Sequence, residues 1–173
     1  MSDEEIVVRP AVKTDCAEIA RLIKELGEYE NLGDQVKMTK EVLEKDGFGE
    51  YQYFRCLVAD KNNYSESEKD CARIIGYALY FFIYSTFEGR CVFMEDLYVS
   101  PQYRARGIGT RLMKGVAKVG VDKGCSRLCW NVLDWNAPSI AFYKRLGAVN
   151  MTETEGWHTL RLNKPELEKL ANR

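Results

Sequence analysis

The chain has 173 residues, long enough for one buried core, and is 46% apolar and 29% charged, an ordinary composition for a soluble globular protein. A net charge of −1 argues against bulk attraction to nucleic acid or to an anionic membrane surface. The acidic start MSDEEIVVRP lacks the apolar stretch of a signal peptide and no apolar run approaches the ~20 residues of a membrane span, so a cytoplasmic chain is expected.

Taken in order, IVVRP at 6–10 predicts a first strand, ended by Pro10. Thr14 or Asp15 then caps a helix, in which Ile19, Leu22, Ile23, Leu26 and Tyr29 recur at helical spacing through Glu30. Thr39 opens a shorter helix that stops near Gly47. YFRCLVAD at 53–60 reads as a strand, and the polar KNNYSESEKD at 61–70 as a mobile loop. The long apolar runs at 72–84 and 90–100 pair as an antiparallel hairpin turning at Gly89. Ile108, Leu112, Val116 and Val119 line one side of a helix from Gly107 to Lys123, which Gly124 ends. RLCWNVL at 127–133 is a further strand. Pro138 suits the first turn of a helix running to Leu146, with Gly147 as its stop. Strands near Ala148–Thr152 and His158–Leu162 and a terminal helix from about Pro165 complete the reading. There is no internal repeat or linker. The pattern predicts a single α+β domain over 1–173, with a mixed, mostly antiparallel central sheet flanked by helices.

The six cysteines form no C-x-x-C pair and His158 is the lone histidine, so the usual zinc ligand pattern is missing and no metal is expected. Reduced cysteines in or near the core are the reading that fits the compartment.

The segment VSPQYRARGIGTRLMKGVAKV at 99–119 has Arg104, Arg106, Gly107 and Gly109 at the mouth of a helix. A helix start exposes unpaired N–H groups and the positive end of the dipole. Glycine lets a bulky anion approach that backbone, and arginine adds charge-assisted bonds. R-x-x-G-x-G between a strand and a helix is therefore a diphosphate cradle. Leu112 stands where the dinucleotide fingerprint wants a small residue, and the G-K-[ST] of a Walker loop is absent.

The strand VFMEDLYV carries two acids into RARGIG, and DWNAPSIAFYKRLGA follows a further strand. Together with RLIKELGEYE, DGFGE, CLVAD and EGWH, these segments resemble the GNAT N-acetyltransferase family over nearly the whole length, and within it the spermidine/spermine acetyltransferases and their thialysine-acetylating relatives. The resemblance implies the GNAT fold and direct acetyl transfer from acetyl-CoA to an amine, without an acetyl-enzyme. An alkyl ammonium must lose a proton before it attacks, at a cost of about 4 kcal/mol at neutral pH. By resemblance Glu95 contacts the acceptor amine and is linked to its deprotonation. Asp96 is adjacent, and adjacent residues on a regular strand face opposite ways, so either it points away or a bulge brings both acids round. Tyr143 is the implied partner of the departing thiolate. Full proton transfer from a phenol to a thiolate is uphill by about 2 kcal/mol at ordinary pKa values, so hydrogen-bond donation is the simpler role.

The resemblance runs the coenzyme along Leu97, Tyr98 and Val99, over Arg104, Ala105, Arg106, Gly107, Ile108, Gly109 and Thr110, and past Asn136 and Ser139 to Tyr143. Asn136 could equally be a plain helix cap. The implied acceptor pocket draws on Tyr29, Glu30, Glu95, Asp96, Cys129, Trp130, Asn131, Glu155 and Trp157, where acids and aromatic faces suit a cation. The expected acceptor is a thialysine- or lysine-like amine, or a diamine or polyamine such as spermidine. A protein lysine or N-terminal acceptor is the alternative enzyme, and a non-catalytic CoA-binding regulator the alternative of another class. A homodimer is implied, with no nucleic-acid or membrane partner.

Overall fold

Five strands form the sheet of the computed structural model, which describes residues 6–62 and 72–172. They are β1 (Ile6–Pro10), β2 (Arg55–Lys61), β3 (Ile74–Ser85), β4 (Gly89–Val99) and β5 (Leu128–Cys129), lying side by side in chain order. Each neighbouring pair among the first four is antiparallel, and β5 runs parallel to β4. The sheet is thus mixed and mostly antiparallel, as the sequence predicts. The hairpin turn brings Gly89 to φ +85, a conformation costly for any residue with a Cβ.

β2 and β3 read as nearly unbroken apolar runs because helices cover both faces of the sheet. On one face, Cys16, Ile19 and Leu22 of α1 (Cys16–Tyr29) and Leu43 of α2 (Lys40–Phe48) pack with Cys56, Val58, Tyr77, Leu79 and Tyr98. Thr39 caps α2 by accepting from the Val42 N–H at 3.4 Å. The Asp15 carboxylate accepts from the Val12 N–H at 2.8 Å, which shapes the turn into α1. On the other face lies α3 (Ile108–Asp122), with Ile108, Leu112, Met113 and Val116 buried and Val119 only half so. A Cβ on Gly115 would lie 2.6 Å from Leu57 Cδ1, so this bare position lets α3 settle close against β2.

The chain divides into two compact units, one up to Asn131 and one from Val132. The second holds α4 (Ala137–Arg145), α5 (Met151–Glu155) and α6 (Lys164–Ala171). Pro138 sits in the first turn of α4, and Gly147 at φ +91 closes it.

Three expectations are corrected. The strand expected over 127–133 is confined to Leu128–Cys129. The strand expected near Ala148–Thr152 gives way to α5, because the Asn150 side chain accepts from the Thr152 N–H at 3.1 Å and starts a helical turn. The stretch His158–Leu162 is not a strand, and its apolar residues are exposed, Leu160 almost fully, so burial of alternate side chains does not hold it extended. The loop expected at 61–70 lies outside the described residues from position 63, and Lys61 ends β2. No helix among the described residues is long and apolar enough to cross a membrane.

Candidate active site

The loop between β4 and α3 turns through two left-handed residues, Ala105 at φ +61 and Gly107 at φ +75. Gly107 forms the N-cap of α3, and the Arg111 N–H bonds to its carbonyl at 3.0 Å. The N–H groups ahead of Arg111 therefore fall in the first turn, where a helix has no carbonyl to offer. A Cβ at Gly107 would meet nothing within 4 Å, so within the chain its bareness answers to the positive φ. This is the geometry of an anion cradle.

β4 is irregular where its two acids sit. Met94 pairs with Tyr80 and Asp96 with Leu79, so Glu95 is an extra residue opposite no partner. A bulge is present at the two acids. It puts Met94 and Asp96 on opposite faces, whereas two residues apart on a regular strand would share one. Glu95 is exposed, while Asp96 turns toward the α1 face and accepts from the buried Tyr77 hydroxyl at 2.9 Å. Burial pushes the Asp96 carboxyl up to about 6; the Tyr77 bond holds it down, and the charges of Glu95 and Glu30 push it further up. Glu30, just past the end of α1, is itself raised by burial. Three carboxyls from two distant segments thus share one electrostatic neighbourhood. Among the described residues, no such group has the geometry to hold a metal ion.

The bulge also governs the sheet edge. β4 and β5 pair only at Val92–Leu128 and Phe93–Cys129, before the bulge. Past it, β4 continues through Leu97 and Val99 with no ladder on the β5 side among the described residues, leaving there an edge that an extended ligand could join. Cys129 is the last residue paired with β4, and Trp130 and Asn131 follow the point where the strands part.

The two arginines lie on rings. The Arg104 guanidinium is 4.9 Å from the Tyr29 ring centre and 5.3 Å from that of Tyr98, and Arg106 is 5.4 Å from that of Tyr103.

In the second unit, Asn136 accepts from the Ser139 N–H at 3.3 Å, so it does cap α4. Tyr143 is half-buried on that helix, edge-on to Phe142 with ring centres 5.2 Å apart. Trp157 donates from Nε1 to Glu155 at 2.8 Å across the left-handed Gly156, a local pairing of two exposed side chains.

The model of the "Acetyltransferase (GNAT) family" matches residues 20–148, a span that takes in the bulge, the glycine loop and α4. The chain belongs to the GNAT acetyltransferase family. The chain is 47% identical over 168 residues to a thialysine N-epsilon-acetyltransferase of Sus scrofa, covering 97% of this chain and 98% of the relative. It is 36% identical to a spermidine/spermine N(1)-acetyltransferase-like protein of Homo sapiens, over 95% of this chain and 23% of that longer protein. Among solved structures, a V. cholerae integron cassette protein superposes with a TM-score of 0.75 at 24% identity, covering 97% and 98% of the two chains. An aminoglycoside N-acetyltransferase in complex with CoA superposes at 0.68 and 19%, covering 92% and 95%.

Sequence reading of this GNAT chain found both acids and the glycine loop but not Tyr77, the donor to Asp96. Tyr77 is one aromatic in the run YALYFF, and nothing local sets it apart. Only the hairpin register brings it beside an acid.

Proposed function

We propose that this GNAT chain, as one acetyltransferase domain spanning both units, transfers acetyl from acetyl-CoA to a primary amine of a small cationic acceptor. The observation that carries the reading is the shared neighbourhood of Glu30, Glu95 and Asp96 at the β4 bulge. Concentrated negative charge draws an ammonium toward the strand that, by family resemblance, carries the thioester. The open β4 edge at Leu97 and Val99 suits a pantetheine arm, and the Gly107–Thr110 turn suits the diphosphate. Glu95, directly or through a water, takes the proton that the ammonium must shed. The amine nitrogen then bonds to the carbonyl carbon, the carbon–sulfur bond breaks, and the thiolate leaves with the Tyr143 hydroxyl donating to it. The nitrogen gives up a second proton as the amide forms, that proton passes to the thiolate, and the products are an N-acetylated amine and CoA thiol. Tyr29, Trp130 and Trp157 would supply aromatic faces to the acceptor, and Glu155 a further charge.

A thialysine- or lysine-like acceptor is favoured over a polyamine, since relatives named for thialysine match at 47% identity and the spermidine/spermine-like one at 36%. A cytoplasmic homodimer without nucleic-acid or membrane partners belongs to the same reading, supported by the family resemblance and the near-zero net charge.

The test is thiol release from acetyl-CoA with thialysine, lysine, spermidine and putrescine. Turnover is expected with thialysine first. Glu95→Gln should lower kcat by about 10²–10⁴, the range for a lost proton acceptor. No turnover with any of the four amines, or a clear preference for peptides, overturns the acceptor class.

A further inference from the structure

Arg104 opens the R-x-x-G-x-G loop, yet its side chain is turned back onto the protein. Its Nε donates to the Val99 carbonyl at 2.8 Å. The guanidinium lies over two rings at once, that of Tyr29 at 4.9 Å and that of Tyr98 at 5.3 Å. Tyr29 is the last residue of α1, next to Glu30, while Tyr98 belongs to β4. The Tyr98 hydroxyl is acted on by Glu25 as well as Arg104. Glu25 in turn pairs with Arg21 and accepts from the Ser100 hydroxyl at 3.0 Å. Arg21 also donates to the Ile74 carbonyl at 2.7 Å. The end of α1, the end of β4 and the start of the loop are thereby joined through one planar cation.

We propose that Arg104 is a positioning residue, fixing the end of α1 with Tyr29 and Glu30 against the loop ahead of α3, and is not itself a ligand of the diphosphate. The proposal rests on the functional reading above, in which Glu30 serves the acceptor and the loop serves the donor. It assigns the anion to the loop backbone and gives the arginine to the acceptor side. A lysine cannot replace it, because the two-ring contact and the Nε bond both depend on the flat guanidinium fork.

The test uses Arg104→Lys and Arg104→Leu in the full chain, with thermal melting to verify folding. Hydrogen exchange is read at the amides of Glu30, Asn31 and Leu32, which bond back to Leu26, Glu28 and Gly27. Both variants should exchange several-fold faster there. CoA affinity by calorimetry should stay within about threefold, while the amine KM rises about fivefold, the scale of a lost pair of cation–π contacts. The Arg104→Leu and Tyr29→Leu effects on amine KM should be less than additive when combined. Unchanged exchange at the end of α1, or a tenfold loss of CoA affinity in either variant, overturns the proposal. A wild-type chain inactive on every amine sinks the functional reading instead, and the exchange and CoA measurements still decide the link.

Discussion

Asp96 holds its carboxyl between the Tyr77 hydroxyl and the charges of Glu95 and Glu30, and burial lifts it from 3.8 to about 6. The sign of the consequence follows from linkage. Between about pH 4 and 6 the folded chain keeps a proton that the unfolded chain has lost, so stability falls as pH rises through that window and levels off above it. The effect is about 2–3 kcal/mol at one pKa unit per 1.4 kcal/mol. Asp96→Asn should therefore melt several degrees above wild type at pH 7.5, with the gap closing by pH 4. Tyr77→Phe removes the bond that holds the pKa down, so the falling limb should extend to higher pH. Thermal melts across pH 4–8 check both, and a gap independent of pH contradicts the assignment. At this scale the acids at 95 and 96 were legible, since two carboxylates on an apolar strand ahead of a glycine loop are conspicuous. Tyr77 was not, because its partner lies 19 residues away.

The glycine loop and its helix show an element whose design is local. A positive φ, an unpaired first turn and a bare Cα are all dictated by neighbours within a few residues, so the sequence pattern sufficed to find them. Gly107→Ala should cost about 1 kcal/mol of stability through strain at φ +75. On the proposed reading of the loop as the diphosphate site, it should also weaken CoA binding about tenfold, measured by calorimetry, because a Cβ would then stand beside the anion. The strands behave differently. Gly76 in β3 has no conformational need to be glycine, but a Cβ there would lie 2.8 Å from the Tyr98 carbonyl oxygen. That neighbour is backbone and cannot swing aside. Gly76→Ala should lower stability by about 1–3 kcal/mol in chemical denaturation. The sequence reading of β5 as seven residues failed for a related reason: strand propensity continues past Cys129, but β4 departs at its bulge and leaves nothing to pair with.

At the scale of the whole molecule, one buried carboxylate ties together segments far apart in sequence. Asp60, at the end of β2, accepts from Arg9 of β1 at 2.8 Å and from Arg73 at 2.8 Å, while Arg9 also bonds Asp15 ahead of α1 at 2.7 Å. Without the carboxylate, Arg9 keeps its pairing with Asp15 and Arg73, half exposed, turns to solvent, so the loss is of hydrogen bonds to charged groups rather than of a buried counter-charge. Asp60→Ala should cost about 1.5–3 kcal/mol in chemical denaturation. A loss below about 1 kcal/mol would show that solvent replaces the carboxylate.

The sequence by itself determined the starts of α2, α3 and α4, the hairpin, the glycine turn ahead of α3, the family and the presence of two acids at 95 and 96, because each is written in residues close together along the chain. Tertiary structure alone decided that Glu95 is bulged, that Asp96 meets Tyr77 and Glu30, and that Arg104 bridges α1 and β4. The register between distant segments selects those contacts, and a one-residue shift in a strand exchanges its faces. α5 stands where a strand was expected because the Asn150 cap starts a helical turn there, a local contact that outweighs strand propensity when no neighbouring strand pairs with the segment.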